Sequence, residues 1–303
     1  MDIPWQGKKC ILCLNEASLT VEHLIPQALG GILTSDLLCG ACNSSLGASF
    51  EAAARSDPSI RIAVWNLRAR IPNLAEKLTE NQTYLGSGPG GTERGVIRNG
   101  EFRIRSRIAK DGSLIQPSDD ARKSVEKILR KSGSGMAPIE EALRLLDDAP
   151  ENERVQVAPG LEVEKWSIEK LDFDFKGNRP MSPLVPLKIA FEFLACHIGT
   201  AIYDDAPQFC DLRQVLRESI EVHECFRVDW LNAAEYKPFH GICFEGNDPH
   251  ARVLIRLFGW LAFRVHFLRL GVGGPRFVYT HYLDTNREDI RMLEPAANTL
   301  TGR

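Results

Sequence analysis

The sequence predicts an α+β chain in which a small metal-stapled module precedes a larger mixed region that closes on an antiparallel sheet. Three observations carry this expectation. Two Cys-x-x-Cys pairs, Cys10/Cys13 and Cys39/Cys42, stand near the start of the chain. Helix-period apolar stripes recur through the middle, best formed by Leu187, Phe191, Leu194 and Ile198. Strand-like runs then crowd the last third, at His240–Phe244, Ala251–Phe258, Leu261–Leu268 and Phe277–Tyr282.

The 303 residues exceed one typical domain, and 44% hydrophobic with 25% charged residues is ordinary for a soluble globular protein. Met1-Asp2-Ile3-Pro4-Trp5 lacks a basic stretch followed by an apolar run, so no secretory signal is expected. No uninterrupted apolar run of membrane-spanning length is expected either. Cys196, Cys210, Cys225 and Cys243 are scattered, which reads as free thiols in a reducing cytoplasm. Composition shifts suggest three parts: residues 1–56, a basic helix and hairpin region 57–135, and an α+β region 136–303.

A Cys-x-x-Cys turn sets both sulfurs on one side of a tight loop. Two such turns can close an all-thiolate shell around one Zn²⁺, with Zn–S bonds of about 2.3 Å. A closed shell holds structure and leaves no position for chemistry, so reactive groups must lie between the pairs. There the chain offers a strand near Leu19–His23 ending in Glu22-His23, then Ile25-Pro26 and a loop marked by Gly30-Gly31. Asn43 follows the last cysteine, where a helix is expected to begin and run to Arg55 before Asp57-Pro58.

Cys10, Cys13, Glu22-His23-x-Ile25-Pro26, Gly30-Gly31, Cys39-x-x-Cys42-Asn43, Gly47 and Glu51 together resemble the HNH endonuclease family. The resemblance covers about residues 8–55 and implies a ββα-metal module. It implies that His23 is the general base, that Glu22 and Asn43 are ligands of a catalytic divalent metal, and that DNA is the substrate. Family members place an Asn on the second strand to orient the histidine. Here Thr34 and Asp36 stand nearest that position, and the role is left open.

The residues support the same chemistry. An imidazole titrates near neutral pH and can take a proton from water. Carboxylate and amide oxygens suit Mg²⁺ or Mn²⁺ better than a second zinc, and such an ion acts as a Lewis acid on phosphate. A helix start at Asn43 would add a favourable dipole for the scissile phosphate. These groups would serve RNA as well as DNA. The competing reading is a non-catalytic zinc module that binds nucleic acid or a protein partner.

Further along, Ile60–Arg70 has helical spacing, and Gly86–Gly91 reads as a linker or loop of flexible backbone. Asn99-Gly100 signals a hairpin between Gly95–Arg98 and Glu101–Ile108. In the second strand Arg103, Arg105 and Arg107 alternate with apolar residues, a candidate nucleic-acid-binding row. From Arg94 to Lys131 basic residues outnumber acidic ones eleven to five, and from Glu140 to Asp174 the balance reverses, four to eleven. Helices are expected at Ser118–Lys131, Ile139–Asp147, Leu187–Tyr203 and Cys210–Ile220, with strands at Arg154–Val157 and Leu161–Trp166. Ser132-Gly133-Ser134-Gly135 is the best candidate boundary. His240, His250, His266 and His281 read as sheet-surface residues and His197 as a core or edge histidine, while residues after Met292 read as a tail. The C-terminal region is the candidate contact for a regulatory partner or a homo-oligomer.

Overall fold

A computed structural model describes residues 1–80, 83–88, 91–98, 101–104, 107–108, 112–150, 153–166, 181–231, 235–245, 250–272 and 276–293. In chain order it places strands β1 (Leu19–His23) and β2 (Thr34–Cys39) before helix α1 (Gly40–Leu46). A π turn, Gly47–Glu51, carries α1 into α2 (Ala52–Ser56), and α3 (Pro58–Asn66) and α4 (Pro72–Thr79) follow. Next come β3 (Thr83–Gly88), β4 (Gly91–Arg98), β5 (Glu101–Ile104), β6 (Arg107–Ile108) and β7 (Leu114–Pro117). Helices α5 (Ser118–Lys131) and α6 (Met136–Asp148) precede β8 (Arg154–Ala158) and β9 (Leu161–Trp166). The chain ends with α7 (Leu184–Ile198), α8 (Pro207–Glu218), β10 (Phe226–Leu231), β11 (Phe239–Phe244), β12 (Ala251–Leu257), β13 (Leu261–Phe267), β14 (Arg276–Tyr282) and β15 (Arg287–Leu293).

These elements form two compact units. The first joins Met1–Leu78 to Lys176–Arg303 and the second is Thr79–Phe175. In the first, an antiparallel sheet runs β10-β13-β12-β11-β14-β15, and α7 packs on β11, β12 and β13. Its core is continuous from Ile11, Leu24 and Leu33 through Leu187 and Phe191 to Val253 and Phe263. Burying each such side chain stabilises by roughly 1.5–3 kcal/mol, so the N-terminal residues and the C-terminal sheet fold as one body. The second unit holds a three-stranded sheet β3-β4-β5 and a four-stranded sheet β6-β7-β9-β8. Val125 and Leu129 of α5 and Ile139 and Leu143 of α6 share a core there with Leu114 and Val163. Ser132–Gly135 joins α5 to α6 inside that unit.

Several expectations are corrected. Gly86–Gly88 and Gly91, expected as linker or loop, lie in the paired strands β3 and β4, with Gly88 opposite Gly91, because backbone ladders need no side chains. The expected strand 101–108 is split between β5 and β6, which lie in different sheets. The helix after the second cysteine pair begins at Gly40, so Asn43 lies within its first turn instead of opening it. Asp57 ends that helix and caps the next, its side chain accepting from the Ser59 N–H at 2.8 Å. Among the strands that escaped the sequence reading are β3 and β7 in the second unit and β10 and β15, the outer pair of the six-stranded sheet. Leu184–Tyr203 is long and apolar enough to cross a membrane by length and composition, but Lys188 and Glu192 interrupt its apolar run and most of it is buried inside the first unit.

Three of the four sheet histidines, His240, His266 and His281, are buried and so depart from a surface role. His240 on β11 is fully buried, with Nε2 2.9 Å from the Leu29 carbonyl and Nδ1 accepting from the Phe258 N–H at 3.3 Å. Those partners fix the neutral Nε2–H tautomer and tie the loop after β1 to the sheet. Burial, with His281 nearby, pushes the imidazole down to about 4, while the bond to Leu29 works the other way. An unfolded histidine takes up its proton near pH 6.5, so stability is full above that pH and falls as the pH drops towards 4. The loss should be on the order of 3 kcal/mol. Denaturant midpoints between pH 7 and pH 4 should show this fall, and His240→Gln should flatten it. An equally steep fall in the variant would remove His240 as its source.

Candidate functional site

β1 and β2 build one wall of the site. Their antiparallel ladder pairs Thr20 with Leu38, shifts register, then pairs Glu22 with Ser35 and His23 with Thr34. The shift leaves Val21 60% exposed, while Glu22 and Ser35 turn inward at 3% and 0%. His23, next along, is half-buried on the other side of the strand. Thr34 thus stands opposite His23, and its hydroxyl donates to Asp2 Oδ1 at 3.1 Å. Asp36 is exposed. Gly31 is required in the loop between the strands, since a Cβ there would sit 1.9 Å from the Ile25 carbonyl oxygen.

The four cysteines converge at the far end of the hairpin. The knuckle at Cys10 is closed by the Leu14 N–H donating to the Cys10 carbonyl at 2.9 Å, with Leu14 left-handed at φ 60°. Cys39 ends β2 and Cys42 lies in the first turn of α1. All four sulfurs lie within 4.8 Å of one another, and Cys13 Sγ and Cys39 Sγ are 3.8 Å apart. A tetrahedron with about 2.3 Å metal–sulfur bonds has edges of about 3.8 Å, so the cluster fits a metal ion such as zinc. Burial raises the Cys10 and Cys42 thiols, whereas the Cys42 backbone N–H helps lower Cys39 to about 7. Metal binding at such a site displaces protons and weakens as the pH falls.

Asn43 reaches from α1 back to β1. Its Nδ2 donates to Thr20 Oγ1 at 3.1 Å and to the Val21 carbonyl at 3.2 Å. With the amide nitrogen committed to β1, Oδ1 is the atom left to act as an acceptor.

Glu22 has a partner that sequence reasoning missed. Its carboxylate contacts the ammonium of Lys188 on α7, which is only 1% exposed. The same ammonium lies 2.8 Å from the His23 carbonyl oxygen, 3.1 Å from Glu192 Oε2 and 3.4 Å from Glu51 Oε1. Burial would lower Lys188, but Glu192, Glu22 and Glu51 outweigh it and raise its pKa. Burial raises Glu22, with Lys188 working against it, and raises Glu192 strongly. The visible signal was Lys188 and Glu192 four residues apart in a helix otherwise apolar all round.

As a donor set for a hard divalent cation, Glu22 and Asn43 fit in kind, both offering oxygen. One constraint applies: Glu22 Oε1 is held by Lys188, which leaves Oε2 for any other cation. Among the described residues, the four cysteines are the cluster of His, Cys, Asp and Glu groups close enough to share an ion. The remaining histidines have separate partners: His266 with Asp229 at 2.8 Å, His281 with Asn286 at 3.2 Å, and His250 with the Arg269 N–H at 3.0 Å. His197 is stacked on Phe244, centroids 4.1 Å apart. Arg103 lies on β5 and Arg107 on β6, so they share no strand, and Arg105 falls outside the described residues, as does the Asn99-Gly100 turn.

No curated protein and no solved structure matches the chain. Residues 10–59, the segment that carries both cysteine pairs, Glu22-His23, Asn43 and Glu51, match the family model described as HNH endonuclease.

Proposed function

We propose that this chain is a metal-dependent endonuclease that hydrolyses phosphodiester bonds of DNA from the site formed by β1, β2 and α1. The observation that carries the reading is the junction of Asn43 with β1 beside the partly exposed His23, inside a segment that matches a nuclease family. Zn²⁺ is the ion proposed for the four cysteines, as a scaffold. Mg²⁺ or Mn²⁺ is the ion proposed beside Glu22 and Asn43, supplying Lewis acidity to the phosphate and to the leaving oxygen.

His23 is the group that takes the proton. The imidazole removes it from a water whose oxygen attacks phosphorus; the P–O3′ bond breaks, and the 3′ oxygen leaves to be protonated from solvent. Glu22 and Asn43 are the residues that would offer oxygen ligands to the cation, and Thr34, opposite His23, would steady the second strand. Arg103, Arg105 and Arg107 remain proposed phosphate contacts. Their combined neutralisation should weaken DNA binding and flatten its salt dependence.

Purified protein with Mg²⁺ or Mn²⁺ should nick or cut plasmid DNA, and EDTA should stop it. A protein that binds DNA or RNA with zinc in place and cuts neither under any divalent metal would favour the second reading, a non-catalytic binding module. The ion pair between Lys188 and Glu22 is the observation on that side, because it occupies one oxygen of the proposed ligand.

A further inference from the structure

We propose that Lys188 is a positioning residue of the nuclease site: one buried ammonium grips the Glu22 carboxylate and the His23 carbonyl, so α7 sets the end of β1 that does the chemistry. This rests on the nuclease reading above and adds to it a residue 165 positions beyond His23. The argument is geometric. Glu192, four residues along on α7, already gives Lys188 a partner at 3.1 Å within its own helix. Lys188 nevertheless reaches across to β1, where it meets Glu22 and the His23 carbonyl, and to Glu51 in the π turn that follows α1. A single cation thereby joins three pieces of chain around the Glu22-His23 dipeptide.

Stability alone is a weak reason for such a cluster. Apolar residues of similar size replace buried ion pairs at little or no loss, because desolvation offsets most of the attraction. What methionine cannot replace is the pair of contacts on consecutive residues. The carboxylate contact fixes the direction of Glu22, and the carbonyl contact fixes the peptide plane that follows His23. Losing both frees the strand end just after its register shift, where the ladder is least regular. The nuclease segment would then depend on the C-terminal part of its own unit for an aligned site.

The test is the double variant Lys188→Met/Glu192→Met, which keeps the side-chain volume of the helix, removes one cation and one acid from it, and leaves Glu22 to take up a proton or turn outward. It should retain one zinc and a cooperative melt. Its kcat on plasmid DNA should fall by more than tenfold with KM little changed. Amide exchange in the peptide spanning Leu19–Ile25 should quicken more than tenfold while the peptides holding the cysteines keep wild-type rates. A folded double variant with wild-type cutting and wild-type exchange overturns the proposal. If the wild-type protein itself cuts nothing, the nuclease reading falls separately, and exchange at β1 still decides whether Lys188 holds it. Should the double variant lose its zinc, Lys188→Arg, which keeps the charge on a planar group, takes the same two measurements. Slower cutting with faster β1 exchange supports the proposal there, and wild-type values of both overturn it.

Discussion

His23→Ala should cut DNA roughly 10²–10⁴-fold more slowly than the wild-type protein, the range expected when a general base is removed. It should do so with its zinc retained and its unfolding midpoint nearly unchanged. The side chain is half-buried at the end of β1, outside the buried core that joins the module to α7 and the sheet. Substitutions at such partly exposed positions outside the core shift stability by about 1 kcal/mol or less. Its neighbour Glu22 behaves oppositely: inward, 3% exposed and paired with Lys188, it cannot be removed without leaving a buried cation short of a partner. Loss of activity in Glu22→Ala would therefore mix chemistry with folding, while His23→Ala isolates the chemistry. His250→Ala is the matched control, since that ring, just before β12, accepts the Arg269 N–H from the turn after β13 and takes no part in the site. Equal cutting by wild type and His23→Ala would remove His23 as the base.

What could be read from the sequence was local. Two cysteine pairs, the Glu22-His23 dipeptide and Asn43 lie within one short stretch, and their spacing alone implies a zinc-type knuckle around a polar site. The alternation in Ala251–Leu257 and the near-continuous apolar run Leu261–Phe267 likewise announced two buried strands. What stayed hidden was of two kinds. Lys188 sits far along the chain from the groups it contacts, and nothing in its neighbourhood says that an apolar helix would turn its one lysine towards β1. Edge strands were missed for another reason. Arg287-Glu288-Asp289-Ile290-Arg291 has too few apolar residues to look like a strand, because an edge strand needs only one buried row, here Ile290 beside Tyr279. Thr34 was legible as a candidate but not as the residue across from His23, because a register shift in the hairpin decides that pairing.

Removing the proposed zinc, by chelation or by Cys39→Ser, should abolish cutting and free the Cys10 knuckle and α1 while the six-stranded sheet persists. Structural zinc contributes an apparent 10–16 kcal/mol or so in zinc-finger peptides, more than a typical domain's whole stability, so the loss at this site should be large. Locally the ion would bind the Cys10 knuckle to the end of β2 and the first turn of α1, adding to the bond that the Ile11 N–H donates to the Leu37 carbonyl at 3.1 Å. Without it four sulfurs within 4.8 Å of one another remain, and those of Cys10 and Cys42 are buried against ionisation. The knuckle then loses its clamp, α1 loses its fixed angle to β1, and the two Asn43 hydrogen bonds to Thr20 and Val21 loosen. The rest of the first unit has other support. Leu24, Ile25, Leu29 and Leu33 are fully or almost fully buried in the core shared with α7, and His240 still holds the Leu29 carbonyl. Limited proteolysis should therefore open the chain first at the Cys10 knuckle and at α1, at chelator concentrations that leave the β1–β2 loop and fragments from β11 to β14 intact. Cys210→Ser, which alters an exposed thiol on α8, should change neither zinc content nor cleavage pattern. A Cys39→Ser protein that keeps a full equivalent of zinc and wild-type protease resistance would show that these four cysteines do not form the clamp.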